Sequence, residues 1–173
     1  SDDRKLLKRK MKLNVIPLQN SSDFDAEWLG TQLKLMDYGL QLNDLRILKK
    51  NFEQATTFGS LIQLSKELPE KLSNLKLLSK ASNKDLITKK TLKQLGLLIR
   101  QSELLTFQFD TVVANPPYMG NKYQEPSLKK YLKEHYSGYE KDIFSAFIDR
   151  NLVFSKRNGR IGFMTPFVWM FIA

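Results

Sequence analysis

The sequence predicts an α/β fold, with a mainly helical stretch over residues 1–106 followed by a parallel strand, helix, strand unit over 107–173. Three observations predict it. Between Phe24 and Leu105 leucines recur every three or four residues, the spacing that gathers apolar side chains on one helix face. Thr111, Val112, Val113 and Ala114 then form a short apolar, β-branched run with the composition of a fully buried strand. A helical period from Ile143 to Val153 leads into a second such run, Arg160 to Thr165, and two strands joined by a crossover helix are expected to be neighbours in one parallel sheet, with a right-handed connection.

Residues 1–13 alternate basic side chains with Leu6, Leu7, Met11 and Leu13, a short basic amphipathic helix read first as a solvated face and second as a phosphate contact. Val15 to Ser22 is a connection. Ser22 or Asp23 is expected to cap a helix carrying Phe24, Trp28, Leu29, Leu33, Met36 and Leu40, which Gly39 ends or loosens. Leu42, Leu45, Leu48 and Phe52 continue the helical spacing to about residue 53. Thr56 to Gly59 is expected to break it. Leu61, Leu64, Leu68, Leu72, Leu75 and Leu78 resume the period, with Pro69 kinking the stretch or opening a second helix. After a polar turn at Ser79 to Lys84, Leu86, Leu92, Leu95, Ile99 and Leu105 mark a helix running to about Thr106. Trp28 and the leucine stripes are read as core, and no cluster in this part carries chemistry.

The strand at 111–114 ends abruptly. Asn115 precedes Pro116 and is pushed out of helical backbone, and Pro116 precedes Pro117, so two φ angles are set and two amide donors are lost. A stiff hook results at the carboxyl end of a strand, the edge at which α/β sheets bind ligands. The Asn115 side-chain carbonyl and the Pro116 backbone carbonyl are two acceptors suited to an exocyclic NH2, and the Tyr118 ring can stack on a planar heterocycle. Met119 to Glu125 has no period and is expected to be a mobile loop, with Lys122 and Tyr123 as candidates to meet the backbone of an extruded strand. Pro126 and Ser127 open a basic helix with Leu128, Tyr131 and Leu132, whose Lys129, Lys130 and Lys133 form a candidate phosphate face. His135, the only histidine, has no ligand-spaced partner and is read as neither metal ligand nor base. Asp142 is expected to cap the helix bearing Ile143, Phe144, Phe147, Ile148, Leu152 and Val153, and Asn158 with Gly159 to end it.

Composition narrows the classes. A chain of 173 residues with 42% hydrophobic content can bury one core of ordinary size. The 28 Lys and Arg against 18 Asp and Glu leave +10, which fits a polyanionic partner such as nucleic acid, and equally a lysine-rich solvated surface. There is no cysteine, hence no disulfide and no thiolate metal site, and a cytoplasmic home is the natural expectation. SDDRKLLKRKMKL has no apolar core of signal-peptide length, and the apolar segment Ile161 to Ala173 is too short to span a bilayer. No membrane partner is expected.

The strand followed by Asn115, Pro116, Pro117 and Tyr118 resembles the catalytic motif of S-adenosylmethionine-dependent amino methyltransferases, above all the DNA adenine N6 methyltransferases. KDIFSAFIDRNLVFSKRNGRIGFMTPFVWMF, with the P-x-x-W at Pro166 to Trp169, is similar to the next helix, turn and strand of those enzymes. With NPPYMGNKY and LKKYLKEHY added, the chain is most similar to the large adenine-specific methyltransferases of BREX phage-exclusion systems and their restriction-modification relatives. The likeness is specific over about residues 107–173 and faint before them.

The resemblance implies a Rossmann-like methyltransferase fold with a helical insertion ahead of the catalytic part, and Asn115, Pro116, Pro117 and Tyr118 as catalytic residues. It further implies S-adenosyl-L-methionine as methyl donor, met by Asn115 and Phe147, with no metal, and DNA as partner beside other phage-defence or restriction components. Phe147 is equally explained as a core residue of an amphipathic helix. The family's glycine-rich cofactor loop is absent, because the eight glycines never form G-x-G, and the acidic ribose-binding residue and target-recognition sequence are missing too. The chain is therefore expected to be a fragment of a larger enzyme. The same tetrapeptide also serves enzymes acting on protein glutamine or on RNA amino groups, and a noncatalytic helical interaction module retaining the hook is a further alternative. The charge and the sequence beyond the motif favour DNA.

Without the loop that cradles its carboxypropyl and ribose ends, S-adenosylmethionine titrated into this chain in a calorimeter should give no binding heat at micromolar concentrations. Micromolar affinity would overturn the inference drawn from the missing loop.

Overall fold

The computed structural model of the protein describes residues 15–82 and 85–166, so the helix expected over 1–13 and Trp169 of the P-x-x-W lie outside the described residues. Helix α1, Ala26–Gln32, starts where Asp25, rather than Ser22 or Asp23, accepts the Trp28 amide at 2.8 Å. Gly39 ends this first helical stretch, as its place in the sequence allows, but the regular helix already stops at Gln32. A 3-10 turn, Leu35–Tyr38, closes on Gly39 in left-handed backbone (φ 64°) before α2, Leu42–Asn51. The cause is geometric: on one straight helix Leu29, Leu35, Leu40, Leu45 and Leu48 would point all round the axis, whereas the break lets all five be buried in one core.

The expected break at 56–59 is instead a short helix, α3 (Ala55–Phe58), followed by a 3-10 turn, Gly59–Leu61. Leu64 sits in the connection that follows, and the next helix, α4 (Leu68–Ser79), begins with Pro69 in its first turn, where a missing amide is tolerated. Helix α5, Leu86–Thr106, is capped by Asp85, whose carboxylate accepts from the Thr88 amide at 2.7 Å and the Thr88 hydroxyl at 2.8 Å. Those bonds hold the Asp85 carboxyl below the usual range. Helices α4 and α5 pack together through the leucine stripes, with Lys76 and Glu103 paired at the rim.

Strand β1, Phe109–Ala114, is followed by α6 (Pro126–His135), α7 (Ile143–Phe154) and β2 (Ser155–Phe163). The strands pair in parallel, Thr111 with Arg160 through Ala114 with Phe163, as the sequence pattern predicts. Two details differ. Among the described residues the sheet has only these two strands, so β1 is not fully buried: Val112 packs on the core while Val113 is 78% exposed. Helix α7 ends earlier than Asn158, with the Ser155 amide closing on the Asn151 and Leu152 carbonyls. Asn158, in left-handed backbone (φ 73°), and Gly159 then lie in an irregularity where the register jumps from Phe109–Ser155 to Thr111–Arg160.

Two apolar clusters hold the chain together. The larger joins α1, α2, α4 and α5 and takes in Phe154 and Val112 from the strand unit. The smaller joins Leu128, Leu132, Tyr136, Ile143 and Ala146 and takes in Leu61 from the helical part. Each half thus lends residues to the other's core. No described helix is long and apolar enough to cross a membrane.

A Cβ at Gly159 would stand 2.9 Å from the Lys156 carbonyl oxygen and 3.2 Å from that of Asp110. Gly159→Ala should therefore destabilise the chain by about 1–3 kcal/mol, the usual range for overpacking. A Cβ at Gly162 would touch only the Val113 methyl at 3.9 Å, so Gly162→Ala should leave the unfolding midpoint nearly unchanged. Urea titration of the two variants checks the contrast.

Candidate active site

The last rung of the sheet is the Met164 amide donating to the Ala114 carbonyl at 3.1 Å, and the next residue on that strand is Asn115. Because the strands are parallel, both carboxyl ends reach this edge together. Pro116 is buried and pins the corner, while Asn115, Pro117 and Tyr118 are open to solvent. The Tyr118 ring is 53% exposed and its hydroxyl donates to Asn115 Oδ1 at 3.3 Å. The hook thus presents an amide oxygen and an aromatic ring in mutual contact, and an amide oxygen has a second lone pair with which to accept from an amine.

The loop after Tyr118 is sewn down rather than loose. The Ile143 amide donates to the Met119 carbonyl at 3.2 Å, the Asn121 amide donates to the Lys141 carbonyl at 2.9 Å, and Gly120 and Asp142 form an antiparallel bridge. Buried Gln124 adds its side-chain NH2 to the carbonyls of Met119 and Glu140, each at 3.4 Å. The expectation of a mobile loop is corrected by these bonds: the backbone leaving the hook is tied to the first residues of α7. A Cβ at Gly120 would lie 3.2 Å from Asp142 Oδ1, so glycine permits the close approach. Asp142 occupies the N-cap position, yet its carboxylate makes no capping bond, and the Ser145 amide meets its backbone carbonyl instead at 3.0 Å.

The remaining candidates lie on other elements. Lys122 and Tyr123 are exposed on a 3-10 turn, Asn121–Tyr123, with the ammonium 5.9 Å from the tyrosine ring centre. Lys129 and Lys133 lie one turn apart on α6, and exposed Lys130 is 4.0 Å from Glu134. Phe147 is half-buried against the smaller cluster, which accounts for its apolar character by packing. His135 lies on the Tyr131 ring at 4.3 Å.

No motif singles out the residues that tie α6 and α7 to the helical part. Arg150, 5% exposed, donates from Nε to the Ser60 carbonyl at 2.9 Å and from Nη2 to the Leu105 carbonyl at 3.0 Å, and lies over the Phe154 ring at 4.2 Å. Burial pushes its guanidinium below the usual range without threatening its charge. Tyr136 is 1% exposed and donates to the Leu61 carbonyl at 2.6 Å, a carbonyl that Tyr131 also meets at 3.3 Å. The Tyr131 ring stacks on Phe58 at 4.1 Å and its hydroxyl accepts the Gln63 amide at 2.8 Å. One signal was available: Ile143, Ala146, Arg150 and Phe154 share one face of α7, so the arginine occupies a core-facing position.

The family described as Eco57I restriction-modification methylase matches residues 29–173. The chain is 30% identical over 197 residues to the adenine-specific methyltransferase BrxX of Escherichia coli O9:H4 (strain HS), covering 99% of the chain and 16% of that protein. It is 34% identical over 80 residues to the adenine-specific methyltransferase PglX of Lacticaseibacillus casei (strain Zhang), covering 46% of the chain and 7% of that protein. It is 26% identical over 130 residues to the Type II restriction enzyme and methyltransferase RM.Eco57I of Escherichia coli, covering 67% of the chain and 13% of that protein. The chain therefore spans less than a fifth of these relatives, and the family match takes in most of the helical part as well as the hook.

Burial raises the Tyr136 hydroxyl to about 12 from the ordinary tyrosine value near 10. Below pH of about 10 the group is protonated in both folded and unfolded chains. Between about 10 and 12 the unfolded chain binds fewer protons, so stability should fall as pH rises through that window. Urea midpoints measured across it should decline, and the decline should be shallower in Tyr136→Phe.

Proposed function

The chain belongs to the Eco57I restriction-modification methylase family, and from that premise we propose that it forms the target-binding part of a DNA adenine-N6 methyltransferase. Residues 107–173 serve as part of a Rossmann-like catalytic region and 1–106 as a mainly helical insertion ahead of it. The observation that carries the reading is the exposed pair Asn115 and Tyr118, held in contact on a corner pinned by buried Pro116 at the carboxyl end of β1. The charge of +10 and the names of the matched relatives support DNA as the substrate.

A base inside a duplex cannot reach such a hook, so adenine is extruded, stacked on Tyr118 and gripped at its amino group by Asn115 Oδ1 and the Pro116 carbonyl. The amine is a poor nucleophile because its lone pair is delocalised into the ring. Acceptors that bind its hydrogens better as the nitrogen pyramidalises stabilise the transition state more than the ground state. The nitrogen donates its lone pair to the methyl carbon, the carbon–sulfur pair returns to sulfur, and an N–H proton leaves to solvent. S-adenosylmethionine, which the family implies, supplies that electrophilic methyl group. In this chain the exposed Asn115 amide fits one side of such a donor, Phe147 is the second candidate, and the missing glycine-rich loop belongs to residues elsewhere. Pro117 stiffens the corner, and Lys122, Tyr123, Lys129, Lys130 and Lys133 are assigned to the DNA backbone around the extruded base. The parent enzyme acts in the cytoplasm beside other restriction or phage-defence components.

In the full-length protein, Asn115→Ala should lower methyl transfer to DNA about 10²–10³-fold, the scale of removing one such polar contact. Transfer of labelled methyl to DNA, RNA and protein measures it, and unaltered DNA modification by the variant would overturn the reading.

A further inference from the structure

Arg150 stands at a junction that neither the motif nor the family match assigns. Its guanidinium holds the Leu105 carbonyl, in the last turn of α5 just ahead of β1, and the Ser60 carbonyl in the Gly59–Leu61 turn. Carbonyls at a helix end have no partner within the helix and carry partial negative charge, so a buried cation is well matched to Leu105. Among the described residues Arg150 makes no ion pair, so these carbonyls and the Phe154 ring at 4.2 Å are its compensation. Helix α7 runs from this anchor in both directions. Its carboxyl end passes directly into β2, which pairs with β1 up to the Ala114 carbonyl beside Asn115. Its amino end holds Met119 and Gly120, the residues that follow Tyr118.

We propose that Arg150 is a positioning residue for methyl transfer: through α7 it sets where the Asn115–Tyr118 hook stands relative to the helical body. Both ends of the hook are bound to elements that this one side chain aligns, Ala114 through β2 and Met119 through the start of α7. A displacement of the hook of about 1 Å is enough to lower a rate on the order of a hundredfold, because in-line transfer depends on the placement of the attacking nitrogen. The inference rests on the methyltransferase reading above.

The test uses the full-length protein with Arg150→Met, which removes both carbonyl contacts at similar length, and Arg150→Lys, which keeps the charge and reaches one carbonyl. Single-turnover methyl transfer should fall at least about tenfold in the Met variant and be partly restored in the Lys variant. The dissociation constants for S-adenosylmethionine and for DNA should move less than about threefold, a split that general loss of folded protein would not produce. Should the Met variant fail to fold, the Lys variant decides: a wild-type single-turnover rate in either folded variant overturns the proposal. Asn115→Ala is measured alongside. If it abolishes transfer while both Arg150 variants keep the wild-type rate, the positioning role alone falls. If Asn115→Ala itself keeps full activity, the methyltransferase reading falls with it.

Discussion

The two parallel strands among the described residues cannot bury themselves, and beside the shared apolar cores the buried guanidinium of Arg150 fixes how they sit on the helical part. Taking a cation out of water costs several kcal/mol, and hydrogen bonds to charged groups return about 1.5–3 kcal/mol each. With no carboxylate partner among the described residues, the arrangement is stable only while Ser60, Leu105 and Phe154 stay where they are. Phe154 lies one turn on along α7 itself, while Ser60 and Leu105 belong to two other elements, so the charge couples the placement of α7 to both.

The second clasp works on the same logic with neutral groups. Tyr131 and Tyr136 share the Leu61 carbonyl, and Phe58 stacks on Tyr131, so the segment 58–63 is gripped by α6 from one side while Arg150 takes Ser60 from the other. Phenols bury well when their hydroxyls find an acceptor, and here one backbone carbonyl serves both. Helical part and strand unit are thereby packed together around two cores, with the candidate edge at Asn115 and Tyr118 left outside both.

That edge differs from the rest of the chain in being open. Val113 and Tyr118 keep most or half of their surface in water, and among the described residues the Tyr118 hydroxyl is the one donor to the Asn115 side-chain oxygen. The hydroxyl keeps the amide turned outward, and the second lone pair remains available to a ligand. Below the edge the backbone is bonded on both sides of the hook, the strand by the Met164 amide and the loop by Lys141, Asp142 and Ile143. A rigid mount carrying an exposed polar pair is the arrangement a positioning enzyme requires.

Short-range rules were legible in the sequence. The β-branched run, the Asn and proline corner, the helix behind it and the leucine stripes each follow from backbone sterics or periodicity, and each sits at or near the expected residues. Gly39 marked a break as well, but where α1 stops and where the strand bulges were not legible, because these answer to distant contacts: α1 ends at Gln32 so that Leu35 and Leu40 reach one core, and Gly159 serves a bulge against Asp110 rather than a helix end. The loop after Tyr118 read as mobile because its partners, Lys141 to Ile143, are far along the chain. By itself the sequence determined the chemistry of the hook, since Asn, Pro, Pro and Tyr impose their stiffness and acceptors wherever they occur. Only the tertiary structure decided how that hook is held, because a buried arginine is recognised by the carbonyls it meets, and those come from residues 60 and 105, which no local pattern connects to 150.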